Sequence, residues 1–333
     1  MIVKPCLVLK CLFREVFGTI VSMIVLTAVF LFIIGACMGS FAVAQVWRFR
    51  ADQYKNAHQP SNHHPNSRNC HPNSSNHHPN FRNRHPELVS GSPDYHEQQM
   101  LKQVRHDRSH CLHCGYQLRW FDLLPIVSWL ALKGKCRHCQ AKIGWLEITT
   151  ELVLGWVFAL SFLFWPYSFS PWGIAMFAIW LIGIVTMTIL FIYDLKWSLL
   201  PGICLTLLAI CATLFVICSC LQGSFAFAQI WSLIGALAVL PGIYFLLYLV
   251  SHSTWVGSGD YMLAFSVALF LADWRLALFA LFAANLLGSI VGMWGMARGR
   301  LGRKSRIPFG PMLIVALVVI FLTQHLLLLL FNI

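Results

Sequence analysis

Charge is scarce in this chain. Asp, Glu, Lys and Arg make up 11% of its 333 residues, against roughly a quarter in ordinary soluble domains. With 58% of the residues hydrophobic, both a soluble globule and a disordered chain are excluded. Carboxylates thin out along the chain until only Asp194, Asp260 and Asp273 remain beyond Glu151. The short alternating segments of a membrane β-barrel are missing. So is a small-residue cleavage site after the first apolar run, which is therefore read as a retained span and not a signal peptide.

What is present is apolar sequence in stretches long enough to cross a bilayer as helix, which needs about 20 residues. Breaks at Pro, Gly and charge divide it into eight spans, near residues 16–46, 148–166, 172–193, 199–219, 229–250, 260–272, 275–296 and 308–331, the sixth being short. The expected fold is an all-α polytopic membrane protein with a loop after its first helix. Its expected organisation is a first span over 1–47, a cytoplasmic loop over 48–147 and a membrane-embedded core over 148–333. In the first span Gly35 and Gly39 make a G-x-x-x-G spacing that lets another helix approach closely.

A net charge of +12 raises the question of nucleic acid, and the placement of the basic residues answers it. Of 24 Lys and Arg, 14 lie between Arg48 and Lys142 and five between Arg298 and Arg306. Between Glu151 and Trp294 there are only Lys196 and Arg275. Such clustering follows the positive-inside rule and lacks the extended basic and aromatic face that nucleic acid requires. Placing the 48–142 loop in the cytoplasm also puts Asp194, the Trp255–Asp260 turn and the 298–306 loop on the inner side. Lys4, Lys10 and Arg14 oppose this orientation and are outvoted by the larger loops.

The loop has two parts. From about Asn56 to His96 it is built of His, Pro, Asn, Ser and Arg, with a seven-residue repeat at His64-Pro65-Asn66, His71-Pro72-Asn73, His78-Pro79-Asn80 and His85-Pro86. Proline in every unit and no apolar seam forbid a coiled coil, so disorder is expected. Beyond it stand Cys111-Leu112-His113-Cys114 and Cys136-Arg137-His138-Cys139. Two C-x-x-C knuckles at this separation can present four thiolates to one zinc ion. A cytoplasmic loop disfavours disulfides, and four protein ligands leave no open position, so the expected zinc is structural.

Ionisable groups at the ends of apolar spans are expensive unless they are used. Asp273 falls in a short outer turn and is expected to cap a helix or meet the membrane interface. Asp194 ends the third span and Asp260 begins the sixth, in Gly257-Ser258-Gly259-Asp260, both on the inner side. Two acids sharing one site do not both ionise easily, so one keeps a proton while the other activates water. That is the chemistry of an aspartyl protease; the alternative is two unrelated helix caps.

The ordered landmarks resemble the type IV prepilin peptidases, bifunctional leader peptidases and N-methyltransferases of the G-x-G-D aspartyl class. They are Gly39-Ser40-Phe41 with Arg48, Ser109-His110-Cys111, Leu124-Pro125-Ile126-Val127-Ser128-Trp129-Leu130, Glu151-Leu152, Asp194 with Leu200-Pro201, the Gly257–Asp260 turn, and Ile307-Pro308-Phe309-Gly310-Pro311. The resemblance implies removal of the basic leader from type IV prepilin or type II secretion pseudopilin precursors at the cytoplasmic side of a bacterial inner membrane. It implies Asp194 and Asp260 as the catalytic pair, and methylation of the new N-terminus from S-adenosylmethionine. This chain departs from the family at Gly202 and Met262, where Asp and Lys are usual, at Val43 in place of Asn, and at Leu146-Glu147-Ile148 in place of Arg-Tyr-Pro. Neither aspartate is touched. Competing readings are a zinc-bearing scaffold of a pilus or secretion assembly, which would need the cysteines but not the aspartates, and a peptidase without methyl transfer. A transporter would want polar residues inside its spans, which 261–271 and 313–322 scarcely offer.

Overall fold

The computed structural model describes residues 5–58, 111, 114, 116, 117, 119, 125–142, 144–223, 227–252, 257–299 and 308–330. Residues 59–96 of the histidine-rich insert, Ser109, His110, Leu124, Trp255 and residues 300–307 of the basic loop lie outside them. The chain divides into two compact units, residues 1–46 with 119–333, and residues 47–118.

Nine helices are found among the described residues: α1 Pro5–His58, α2 Val127–Ala131, α3 Trp145–Leu163, α4 Pro171–Trp197, α5 Gly202–Leu221, α6 Phe227–Val250, α7 Ser258–Leu271, α8 Trp274–Ala297 and α9 Gly310–Leu330. Seven have the length and composition to cross a membrane, and α7, with 14 residues, is shorter. Except at α1, the helix ends fall within four residues of the spans expected from the sequence. Helix α1 runs well past the expected 16–46 on both sides, because no proline or glycine interrupts the polar turns that follow the apolar run.

Turn chemistry explains where the helices reverse. Ser170 caps α4 by accepting the Gly173 N–H at 3.1 Å, with Pro171 at the first helical position. At its far end Ser198 enters the left-handed region at φ 51° and Pro201 forces the break before α5. Asp273 caps α8, accepting the N–H groups of Arg275 at 2.8 Å and Leu276 at 3.4 Å, with Ser232 donating to its other oxygen at 3.1 Å. This is the capping role expected for it.

The short α7 explains itself by its neighbours. At about 1.5 Å per residue, 14 residues fall well short of a hydrocarbon core roughly 30 Å thick. It is sheltered instead by α5, α6, α8 and α9, with every residue from Val267 to Leu271 buried. An aromatic cluster closes its C-terminal end. Trp180 stacks on Phe321 at 3.8 Å, Phe270 meets Trp180 and Phe215 at 5.4 Å each, and Trp180 Nε1 donates to Ser161 Oγ at 3.0 Å. With that end plugged, the N-terminal end of α7 is the one that opens onto Asp194.

Helix α1 docks on α3 through its glycines. A methyl at Gly35 would meet Leu154 O at 2.7 Å and Gly155 Cα at 2.9 Å, and one at Gly39 would meet Glu151 Cα at 2.7 Å. The small-residue spacing thus does what it does in other membrane helices, bringing backbones into contact.

Candidate active site

Asp194 sits one turn from the end of α4 and is only 5% exposed. Its carboxylate lies against the first residue of α9: a methyl at Gly310 would stand 2.7 Å from Asp194 Oδ2, and the Gly310 amide is beside the same carboxylate. Asp194 Oδ2 is buried without a hydrogen-bond partner among the described residues. A buried carboxylate oxygen left in that condition is costly, so the position is one that a proton, a solvent molecule or a substrate group would satisfy.

Asp260 is at the third position of α7. One carboxylate oxygen accepts the Gly257 N–H at 3.0 Å while the Asp260 N–H donates to Gly257 O at 3.2 Å. It therefore caps its own helix, as the simpler reading of the sequence anticipated, and this fixes its orientation. The cap engages a single oxygen, and the Asp260 charge also acts on Asp194. The second carboxylate oxygen stays outside the capping bond.

Leu200 joins the two acidic positions. A methyl at Gly259 would meet Leu200 Cβ and Cδ1 at 2.9 Å, and one at Gly310 would meet Leu200 Cδ2 at 3.6 Å. The loop after α4, the Gly257–Asp260 turn and the start of α9 are thus packed backbone to side chain, and glycine is required at both contact points. Four landmarks separated by up to 116 residues in sequence, Asp194 to Gly310, converge here.

A second set converges on Glu151, which is 7% exposed. It accepts the Ile126 N–H at 2.7 Å and the Ser40 hydroxyl bonds it from α1. Ile126 is held at φ 61°, ψ −52°, with the Val127 N–H bonded to Pro125 O at 2.6 Å. This is a γ-turn of the rare, strained hand, and a β-branched residue is the least suited to it. The Glu151 carboxylate is what holds it. Replacing Glu151 by Ala is expected to cost this segment about 1–3 kcal/mol by stranding the Ile126 N–H, whereas Gln retains an acceptor. Hydrogen exchange across Pro125–Lys142 would read the difference; equal protection in both variants would deny Glu151 this role.

None of the four cysteines of the two knuckles is in a disulfide. Each knuckle is closed by the same bond, from the N–H of its first cysteine to the carbonyl five residues on: Cys111 to Tyr116 and Cys136 to Ala141, both 2.8 Å. Zinc–sulfur bonds of about 2.3 Å put tetrahedral sulfurs about 3.8 Å apart. Four thiolates in two C-x-x-C knuckles are a donor set that fits that ion.

The departures from the family pattern can also be located. Met262 is 38% exposed and lines an apolar groove of about 430 Å³ with Pro241, Phe245, Tyr261 and Phe265. At Gly202 a side chain would meet nothing within 4 Å. Tyr244 was not legible as a site residue. It is buried on α6 with its ring 5.1 Å from Phe309, its hydroxyl beside Asn285 and within reach of the Asp260 charge. The only local signal was a tyrosine three residues after Pro241, inside an apolar helix.

Comparison with known proteins gives the family. Residues 33–165 match the bacterial peptidase A24 N-terminal domain family. The prepilin leader peptidase/N-methyltransferase of Stutzerimonas stutzeri is 28% identical over 213 residues, covering 62% of this chain and 69% of that protein. Those of Dichelobacter nodosus, at 33% over 210 residues, and Aeromonas hydrophila, at 31% over 216 residues, are matched over 68% and 69% of their own lengths and 62% and 63% of this chain. The chain belongs to the prepilin leader peptidase/N-methyltransferase family. It spans about two thirds of the length of these relatives. No solved structure matches it. As a member of this family it is a multi-pass helical membrane protein, and the landmarks that converge on Asp194 and on Glu151 are those through which its sequence resembles other prepilin peptidases.

Proposed function

We propose that this chain is an aspartyl endopeptidase of the bacterial inner membrane. It removes the leader from type IV prepilin or type II secretion pseudopilin precursors at the cytoplasmic face and methylates the new N-terminus. The observation that carries the peptidase reading is the buried Asp194 Oδ2, without a hydrogen-bond partner and under the influence of Asp260. In the proposed step one carboxyl group holds a proton while the other takes one from a water molecule that attacks the scissile carbonyl. The proton then passes to the leaving nitrogen. The two aspartates act as a unit, so neither is assigned acid or base alone. The cap from Gly257 holds Asp260 in place, and Leu200 and Gly310 fix the depth of Asp194.

Orientation follows from the basic residues gathered on one side of the membrane, which puts the aspartates at the inner face. That is where the basic leader of a precursor meets its apolar helix. The domain scheme is then a first span over 1–47, a cytoplasmic loop over 48–147 and a membrane core over 148–333. Cys111, Cys114, Cys136 and Cys139 would hold one zinc ion in a closed shell that organises the loop and takes no part in hydrolysis. S-adenosylmethionine would supply the methyl group.

Co-expression with a prepilin tests the reading: a mobility shift reports leader removal, and mass analysis of the mature N-terminus reports the methyl group. Unprocessed precursor beside well-expressed enzyme would reject it. A second reading, cleavage without methylation, is favoured by Met262 and Gly202; a cleaved but unmethylated product is its signature.

A further inference from the structure

A groove of about 550 Å³ opens between the last turns of α8 and the first turn of α9. Gly288 and Gly292 give it depth, Met293 and Met312 line it, and Asn285 and Ser289 supply its polar groups. Phe309 lies at its end next to the aspartates, since Gly310 contacts Asp194 and Tyr244 links Phe309 and Asn285 to Asp260. We infer that this α8–α9 groove receives the extended apolar stretch of the precursor at the cut, with Asn285 and Ser289 hydrogen-bonding its backbone. The inference rests on the peptidase reading above and adds the path by which substrate reaches the two acids.

Two physical points favour a peptide over lipid chains. Asn285 and Ser289 are exposed on a membrane-spanning helix. Each makes one local bond, Asn285 Nδ2 to Leu281 O and Ser289 Oγ to Asn285 O, both 2.8 Å. Asn285 Nδ2 also stands beside the Tyr244 hydroxyl, so what remains is the Asn285 carbonyl oxygen and the serine lone pairs, which an acyl chain cannot satisfy. A peptide opened for hydrolysis has the complementary need, because its carbonyl and N–H groups lose their helical partners at a depth with little water. The methionines add walls that adapt to apolar side chains of different shape. The groove beside Met262 follows Asp260 directly in sequence, but Tyr261 is the one residue of its lining with a polar side-chain group, so it offers an unwound backbone fewer side-chain partners.

The test uses full-length protein in membranes with a prepilin, carrying Asp194→Asn so that substrate stays uncut. Ser289, Met293 or, in the competing groove, Phe265 is replaced by the photo-crosslinker p-benzoylphenylalanine. Prepilin adducts at positions 289 and 293 that exceed those at 265 are expected. Adducts confined to 265, or equal at all three, would overturn the inference while leaving the peptidase reading intact, provided the parent enzyme cleaves; failure of the parent to cleave would remove both. In the active enzyme Asn285→Leu is expected to raise KM for prepilin about tenfold with kcat little changed, the loss of one hydrogen bond to bound substrate. A fall in kcat at unchanged KM would instead assign Asn285 to the support of Asp260, against the inference.

Discussion

Asp194→Asn and Asp260→Asn are each expected to abolish leader removal, lowering the cleavage rate by roughly a thousandfold or more, since each removes a proton-transferring group from the reaction. The change is close to isosteric. At Asp194 it leaves the contact with Gly310 in place. At Asp260 the amide oxygen still accepts the Gly257 N–H, so the start of α7 is retained. Both variants are therefore expected in the membrane at wild-type levels, and loss of activity with normal abundance is the informative result. The two effects are also expected not to add: the double variant should be no slower than either single one, because a pair that shares protons fails as a whole. Immunoblots of precursor and mature pilin, with a rate from purified enzyme in detergent, measure this. Equal processing by wild type and either variant would remove that residue from the chemistry, and a scaffold role would then gain ground.

How much of this was legible in the residues depends on the range of the interaction. Helix ends were read closely because Pro171, Pro201, Asp273 and the glycines act on their own turns. The knuckles could be read because ligand spacing is local to each turn. The Gly35–Gly39 spacing announced a close helix contact but not its partner, which is α3. Facing could not be read at all, since a helix apolar on every side has no polar stripe to mark its outward surface. For this reason Tyr244 on α6, within reach of the Asp260 charge, and Asn285 on α8, beside the Tyr244 hydroxyl, carried no mark in the sequence. Local backbone strain was hidden too: nothing in Pro125-Ile126-Val127 announces a positive φ at isoleucine, whose N–H is bonded by Glu151 from 25 residues away. The cap found at Asp260 is compatible with the catalytic role proposed for it. A capping bond uses one oxygen and a fixed rotamer, which is the preorganisation that a reacting carboxylate needs.

The Cys111→Ser, Cys114→Ser double variant is expected to lose its bound zinc, from about one ion per chain to none, because two thiolates cannot close a tetrahedral shell. Structural zinc in small loops is worth about 10–16 kcal/mol of apparent binding free energy, far more than the few N–H to carbonyl bonds that close the knuckles. Loss of the ion is therefore expected to release the loop, with rapid proteolytic cutting between the knuckles. The membrane helices should be unaffected, because they pack on one another, α1 on α3 and α3 through α9 among themselves, and no zinc ligand is on any of them. Metal analysis, limited proteolysis and helical circular dichroism on the same preparation separate these outcomes. The consequence for activity is a clean division of labour: if the ion only organises the loop, cleavage falls in proportion to the loss of loop order and is recovered by no other divalent ion with oxygen preference, since thiolates select zinc over magnesium or calcium. Full zinc occupancy in the double variant would show that these cysteines do not hold it, and loss of zinc with an intact, protease-resistant loop would show that the ion does not order it.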